Sequence, residues 1–349
     1  MRLGINLGYV VGGGVHDYAA LAQEADRLGY SVAWAAEAYG SDSPTVLSWV
    51  AAQTSRIDIG SAVMQIPART PAMTAMTAAT LDMLSEGRFR LGVGVSGPQV
   101  SEGWHGVRFD RPLARTREYV DIVRMALERQ TVAYEGRHFT LPLPDGPGKA
   151  LKMSVHPVRD RIPIYLAAVG PKNLELAGEI SDGWLAIFFS PEHAQELLGH
   201  IDAGLASAGR RRETFDVAAT VPVVVGDDLE ACAEPLRAYA ALYVGGMGSR
   251  EKNFYNQLAR RMGFEDDARR VQDLYLDRRH REAMAAVPLD FIDQTSLIGP
   301  KKRIAERLHA YHEAGVTTLN VSTFDATGEG RANVLRTLAE ALDESGLGE

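Results

Sequence analysis

The sequence predicts an α/β chain folded as a closed (β/α)8 TIM barrel with insertions after strands four and seven. Short apolar, β-rich runs alternate with stretches of helical periodicity. Eight such runs start near positions 3, 32, 57, 89, 162, 184, 215 and 317. They lie 22 to 32 residues apart, except for two gaps of 73 and 102. The shorter spacing holds one crossover helix, whose right-handed connection keeps successive strands parallel. Eight parallel units favour closure. An open doubly wound sheet has the same alternation, because strand number alone does not show closure.

The first run is Leu3–Tyr9, followed by Tyr18, Leu21, Ala22 and Ala25 at helical spacing before Gly29. Val32–Ala36 leads to a helix opened by Ser43 and Pro44, proline being suited to a first helical turn. Ile57–Met64 is the third run, and Thr70 and Pro71 open the next helix in the same way. Phe89–Val95 precedes a loop and a long helix near Leu113–Arg129. Ile162–Val169, Trp184–Phe189, Phe215–Val225 and Thr317–Thr323 complete the set, and Arg331–Asp343 reads as a closing helix.

The two long gaps read as insertions into one domain spanning 1–349. In the first, 133–160, Ala133–Phe139 has a Glu-Gly turn between β-prone flanks and predicts a hairpin, and Leu141–Ala150 is a Pro/Gly-rich loop. In the second, 228–298, Asp228–Val244 is helical, and Ser249 is placed to cap a helix with Phe254, Leu258 and Met262 on one face. Arg269–Ala286 continues helical, with Arg278, Arg279 and Arg281 on its polar face. That face is either solvated or a basic lid over the barrel mouth.

Composition narrows the function. Of 349 residues, 46% are hydrophobic and 23% charged, with a formal net charge of −8, ordinary for a globular chain. An acidic chain without a basic tract predicts no nucleic-acid or anionic-membrane partner. Cys232 is the only cysteine, so neither an internal disulfide nor a cysteine metal cluster can form. No apolar run reaches membrane-spanning length and the start reads as strand rather than signal peptide, so a cytoplasmic location is expected. The nine histidines form no HxH or HExxH pair, and no GxSxG elbow occurs, so metal and nucleophilic hydrolase chemistry have no visible centre. A paired-carboxylate glycosidase is not excluded by spacing, and Glu37 and Glu102 are its early candidates.

In such a barrel the chemistry sits where strands end and βα loops begin. Glu37 and Tyr39 follow strand two, and Ala62, Val63 and Gln65 follow strand three. Gly94, Val95, Ser96 and Gly97 follow strand four, with Ser101, Glu102, Trp104 and His105 in the loop beyond. After strand five, Ala168, Val169, Gly170, Pro171, Lys172 and Asn173 run straight into a helix, whose free N–H groups suit an anion or simply close a tight turn. The glycines after strand four could admit a flat ring, but they do not form a dinucleotide fingerprint.

Several blocks carry a family resemblance: Ala79–Asp82, Ser85–Phe89 running into Leu91–Gly94, Ile57–Arg69 ending before Thr70-Pro71, Ile162–Pro171, and Gly178 with Asp182-Gly183-Trp184. With them the chain resembles the bacterial luciferase-like superfamily, in its deazaflavin (coenzyme F420) dependent oxidoreductase branch. The resemblance implies a deazaflavin at the C-terminal barrel mouth, backed by a bulge with a non-prolyl cis peptide whose matching bond is Ala62–Val63. By the same comparison, Glu37 replaces an acidic residue near the polar edge of the ring. Gln65 and Ser101 fall at polar contacts, Gly94 to Gly97 form the strand-four wall, and Val169 to Asn173 approach the ribityl or phosphate part. Ala38 stands where the sugar-phosphate dehydrogenase branch has histidine, and Gly97 or Pro98 where it has glutamate, which argues against glucose 6-phosphate.

The expected activity is hydride transfer between C5 of the deazaflavin and a small organic substrate. Glu37, Tyr39 and His105 are the candidates for proton transfer. The alternative is an FMN-dependent monooxygenase of the same superfamily; a ligand-binding barrel without chemistry and a hydrolase are further readings. Relatives suggest a homodimer packed through the helix carrying Met73, Met76, Met83 and Leu84, side chains that equally suit a barrel-facing core.

Overall fold

The computed structural model describes residues 1–8 and 15–348. Eight parallel strands form the barrel: β1 (Arg2–Gly8), β2 (Val32–Ala35), β3 (Asp58–Ser61), β4 (Phe89–Gly94), β5 (Ile164–Ala167), β6 (Gly183–Ile187), β7 (Asp216–Val225) and β8 (Thr318–Thr323). Each pairs with its sequence neighbours, β8 pairs with β1, and β4 with β5, so the ring is closed. The doubly wound alternative is therefore excluded.

Outside the ring lie α1 (Val15–Arg27), α2 (Ser43–Gln53), α3 (Pro71–Leu84), α4 (Pro112–Leu127), α5 (Pro171–Ile180), α6 (Ala194–Ser207), α7 (Lys301–Glu313) and α8 (Gly328–Ser345). Pro44 and Pro71 occupy first turns as expected, with Asp42 and Thr70 as the capping side chains. Strand residues alternate between this helical layer and the barrel interior. Ile5 and Leu7 belong to the main core, whereas Val32, Trp34, Tyr165, Leu185 and Ala218 form a separate interior cluster. Glycines make room for its rings: a Cβ on Gly60 would collide with Trp34, and one on Gly183 with Tyr165. Trp34 and Tyr165 meet edge to face at 5.1 Å.

A polar plug closes the N-terminal end. Arg90 pairs with Asp58 at 2.8 Å and Asp216 at 3.5 Å, and the Tyr165 hydroxyl donates to Asp216 at 2.8 Å. Burial, reinforced by Asp216, pushes the Tyr165 phenol well up, so it stays protonated as a donor.

The block Ala79–Phe89 is structural hardware. Asp82 is fully buried and accepts from the Val158 N–H at 2.9 Å and Arg159 Nε at 2.8 Å, tying α3 to the segment entering β5. Glu86 and Gly87 turn the chain with positive φ, and Arg88 donates to the carbonyls of Ala51, Thr54 and Ile57.

The hairpin before β5 pairs Tyr134–Glu135 with Thr140–Leu141, and Leu151–Lys152 pairs with Thr131–Val132. Between β7 and α7 the chain forms helices Leu229–Ala241, Phe254–Arg261, Glu265–Leu276, His280–Ala285 and Leu289–Thr295. A short strand, Leu297–Gly299, then pairs in parallel with Val223–Val225 at the end of β7, an element with no counterpart among the eight expected runs. The cap of Phe254–Arg261 is Asn253, not Ser249: Asn253 Oδ1 accepts the N–H groups of Tyr255 and Asn256. No helix among the described residues is long and apolar enough to cross a membrane.

Candidate functional site

The C-terminal ends of β3 to β6 surround a cavity of about 800 Å³. Its back wall begins where β3 stops at Ser61. The Ala62–Val63 peptide is cis, as the resemblance implied. The chain then resumes as Met64–Gln65, paired with Val93 and Gly94 of β4. Ser61 Oγ fastens the break, donating to the Gly92 carbonyl and accepting its N–H. Val63 thereby faces Gly94, where a Cβ would come within 2.8 Å of Val63 Cγ2. The wall is flat because position 94 has no side chain.

Of the expected residues, the cavity gathers Val63, Gly94, Val95, Ser96, Ala168, Val169, Gly170, Pro171, Lys172 and Asn173. Gly170 caps α5, Pro171 fills its first position, and space beside Gly170 is open. Asn173 Nδ2 donates back to the Ala167 carbonyl at 3.3 Å, fixing the turn.

Glu37 does not line the cavity; it holds the wall from behind. One oxygen accepts the Ser43 N–H at 3.1 Å, and the other accepts the Gln65 N–H at 2.9 Å and an Arg69 nitrogen. Arg69 also pairs with Asp42, the cap of α2. The Glu37 side chain is only 8% exposed. Gln65 Nε2 donates to the Glu37 carbonyl and to Ser96 Oγ, which turns Gln65 Oε1 toward His105 Nε2 at 2.8 Å. That amide orientation makes His105 the donor, with its proton on Nε2. Glu37, Gln65, His105 and Ser96 thus form one chain ending at the cavity wall.

Other expected residues lie elsewhere. Tyr39 is 60% exposed on the rim. Ala62 donates its N–H to the Ala35 carbonyl within the bulge. Gly97 caps the short helix Pro98–Gly103, and buried Ser101 donates to the Val107 carbonyl at 2.7 Å, closing its own loop. Trp104 is 67% exposed, and Arg278, Arg279 and Arg281 face solvent, not the cavity. The basic-lid reading of that helix face is overturned.

The remaining lining escaped sequence reasoning. Phe109, Arg111, Pro112, Leu113 and Ala114 come from the entry to α4, Leu185 and Ile187 from β6, and Phe254, Tyr255 and Gln257 from the insertion. Phe254 was legible as part of an apolar face, but nothing in the sequence aims that face at the mouth. Burial pushes the Tyr255 phenol up to about 12, so it presents a neutral hydroxyl. Among the described residues lining the cavity, only Arg111 and Lys172 are charged.

A family model described as luciferase-like monooxygenase matches residues 1–318. A protein of Mycobacterium tuberculosis with the provisional name coenzyme F420-dependent oxidoreductase is 44% identical over 333 residues, 93% of this chain and 96% of that one. The 5,10-methylenetetrahydromethanopterin reductase of Archaeoglobus fulgidus is 30% identical over 306 residues, 86% of each. The solved coenzyme F420 dependent tetrahydromethanopterin reductase from Methanopyrus kandleri shares the fold, with a TM-score of 0.82 at 23% identity over 98% of each chain. With the closed barrel and its bulge in place, these matches along nearly the full length make the chain a member of the luciferase-like monooxygenase family.

Proposed function

We propose that this chain is a coenzyme F420-dependent oxidoreductase that transfers a hydride between C5 of the deazaflavin and a small organic substrate. The observation that carries the reading is the 44% identity to the mycobacterial relative across nearly all of both chains. The cavity fits the cofactor: its wall is bare at Gly94, its far side is open at Gly170, and the charged groups among its described lining residues are the cations Arg111 and Lys172. These suit a flat ring with an anionic tail.

When bound, the deazaflavin supplies the carbon that gives or takes the hydride. Val63 and Gly94 would hold the ring plane, and the side chains of Leu185, Ile187 and Tyr255 would exclude water from the reacting face. Gly170 to Asn173 would hold the phosphate-bearing part. Glu37 is a positioning residue in this reading, because both its oxygens are committed to the bulge and to α2. His105, whose Nε2 meets Gln65 Oε1 at 2.8 Å, and Tyr39 on the rim are the candidates for proton transfer in this reading.

The homodimer reading rests on the neighbouring helices α2 and α3, on which Trp49, Met73, Met76, Met83 and Leu84 are each exposed. The lone buried thiol, Cys232, is in keeping with a reducing, cytoplasmic setting.

The test supplies reduced deazaflavin and reduced FMN in parallel under air and follows oxygen uptake. The proposal expects no uptake above the protein-free rate with either. Protein-dependent oxygen consumption with FMN would replace it with a monooxygenase.

A further inference from the structure

Hydride transfer to or from a neutral substrate moves a proton as well, and a positioned acid speeds that step. Among the described residues lining the cavity, six side chains carry N–H or O–H groups: Ser96, Arg111, Lys172, Asn173, Tyr255 and Gln257. The amides of Asn173 and Gln257 and the guanidinium of Arg111 keep their protons at any working pH. Ser96 is an aliphatic alcohol whose Oγ already accepts from Gln65 Nε2. The Lys172 side chain is 77% exposed and pairs with Glu175 at 2.7 Å. Neither His105 nor Tyr39 belongs to the described lining. Tyr255 remains. It is half-buried, and its hydroxyl makes no hydrogen bond among the described residues. A polar group placed in a cavity without a partner marks a contact with a ligand.

The insertion after β7 is built to hold this side chain still. A turn of π-helix, Leu242–Gly246, precedes it, and such single turns recur at functional sites. Buried Asn253 donates through Nδ2 to the Tyr243 and Val244 carbonyls of that turn at 2.9 and 3.0 Å. Its Oδ1 accepts the Tyr255 N–H at 2.9 Å, so one side chain ties the turn to the residue. On the barrel side, Phe188 follows β6 with a φ of 52°, a left-handed conformation that bulky side chains rarely adopt. There its ring meets Tyr255 edge to face at 6.1 Å and Tyr243 at 5.5 Å, while Tyr243 meets Tyr255 at 4.9 Å. Two unusual backbone features thus converge on one phenol, and unusual backbone gathers where a site needs it.

We propose that Tyr255 is the catalytic acid of the reaction: its hydroxyl protonates the substrate as the substrate takes the hydride. This rests on the hydride-transfer reading above and adds the proton donor to it. In reduction, a substrate carbon gains a C–H bond with the hydride released by the reduced deazaflavin. The electron pair displaced onto the neighbouring substrate atom takes the Tyr255 proton, so the tyrosyl O–H bond breaks as the new bond to hydrogen forms. Solvent restores the phenol when the product leaves. Oxidation runs the same steps backwards.

The experiment uses the full chain in excess over reduced coenzyme F420, so that the cofactor is bound; its saturation is measured first and tests the cofactor assignment separately. Single-turnover rates are then followed with N-methylacridinium, which accepts a hydride and needs no proton, and with benzaldehyde, cyclohexanone and 2-cyclohexen-1-one, which need both. At least one neutral acceptor is expected to react, more slowly in D2O, whereas the acridinium rate is insensitive to D2O. In Tyr255→Phe the ratio of the neutral rate to the acridinium rate should fall about a hundredfold, the scale of general acid catalysis. A second readout needs no turnover: with oxidised cofactor bound, Tyr255→Phe should weaken binding of that neutral acceptor about three- to tenfold, as loss of one hydrogen bond does. His105→Gln and Tyr39→Phe should leave the ratio within about threefold of the parent. An unchanged ratio in Tyr255→Phe, a hundredfold fall in either of the other variants instead, or reduction of acridinium and of none of the neutral acceptors overturns the proposal. Failure of the saturated chain to reduce acridinium contradicts the hydride-transfer reading and takes the proposal with it.

Discussion

Val63 and Gly94 lie side by side at the barrel mouth, so closely that a Cβ on Gly94 would lie 2.8 Å from Val63 Cγ2. The bulge after β3 and the end of β4 thereby make one wall. Gly94→Ala must push Val63 into the cavity or spread the two strands. Overpacking of this kind costs roughly 1–3 kcal/mol, and here it falls on cofactor binding. The expected result is a deazaflavin Kd raised about tenfold or more with a small fall in Tm, measured by fluorescence titration and thermal unfolding.

Asp82 is fully buried and its carboxylate is saturated by Arg159 and two backbone N–H groups. Asp82→Ala leaves the Arg159 guanidinium facing an uncompensated site and releases the segment entering β5. The expected loss is roughly 3–5 kcal/mol, read as a lowered urea midpoint, and Asp82→Asn should lose less.

Glu24 joins α1 to α8. The hydrogen bonds from Arg27 hold its carboxyl well down, to about 2 from 4.5; burial opposes them and Arg336 adds to them. A carboxyl depressed by folding contributes stability that is complete above 4.5 and lost as pH falls toward 2. Glu24→Gln should therefore be less stable than the parent at pH 6 and nearly equal to it at the acid end of that window. Urea midpoints at the two pH values check the sign.

Arg111 lines the cavity from the cap of α4 with no side-chain partner among the described residues, while Lys172 shares its charge with Glu175 at 2.7 Å. Arg111→Gln should weaken deazaflavin binding several-fold at low salt and flatten its salt dependence, because a screened attraction has been removed. Titrations at low and high sodium chloride separate this from a general loss of shape.

Much of the barrel was legible because its strands are buried on both faces and read as apolar runs. Asp42 and Thr70, each set just before a helix-opening proline, could be read as start signals in the same way. Pro171 in the turn after β5 and the glycine wall at Gly94 were legible because a first helical turn favours proline and a close approach favours glycine; Gly170 itself has an extended backbone and open space beside it. The early end of β3 was not legible from the pattern, since a bulge leaves the apolar run Ile57–Met64 intact, and only the family resemblance pointed to it. Nor was the turn of π-helix Leu242–Gly246, which extends an ordinary helical pattern and is held by Asn253 and Asn256 through the Tyr243 and Val244 carbonyls. Asn253 took the capping position from Ser249 because it also satisfies those carbonyls. The part of the cavity made by Phe109–Ala114, Leu185 and Tyr255 depends on which way loops fold over the mouth, and periodicity carries no such information. Glu37 was visible as a residue past a strand end, but its commitment to Ser43, Gln65 and Arg69 is a tertiary fact.

The central claim is that the cavity between β3 and β6 takes a deazaflavin. It is tested most directly by titrating the purified protein with oxidised coenzyme F420 and, separately, with FMN, following fluorescence quenching. The account predicts saturable, tight binding of the deazaflavin, markedly weaker binding of FMN, and weakened deazaflavin binding in Gly94→Ala. Preference for FMN, or no saturable quenching by either, would contradict it.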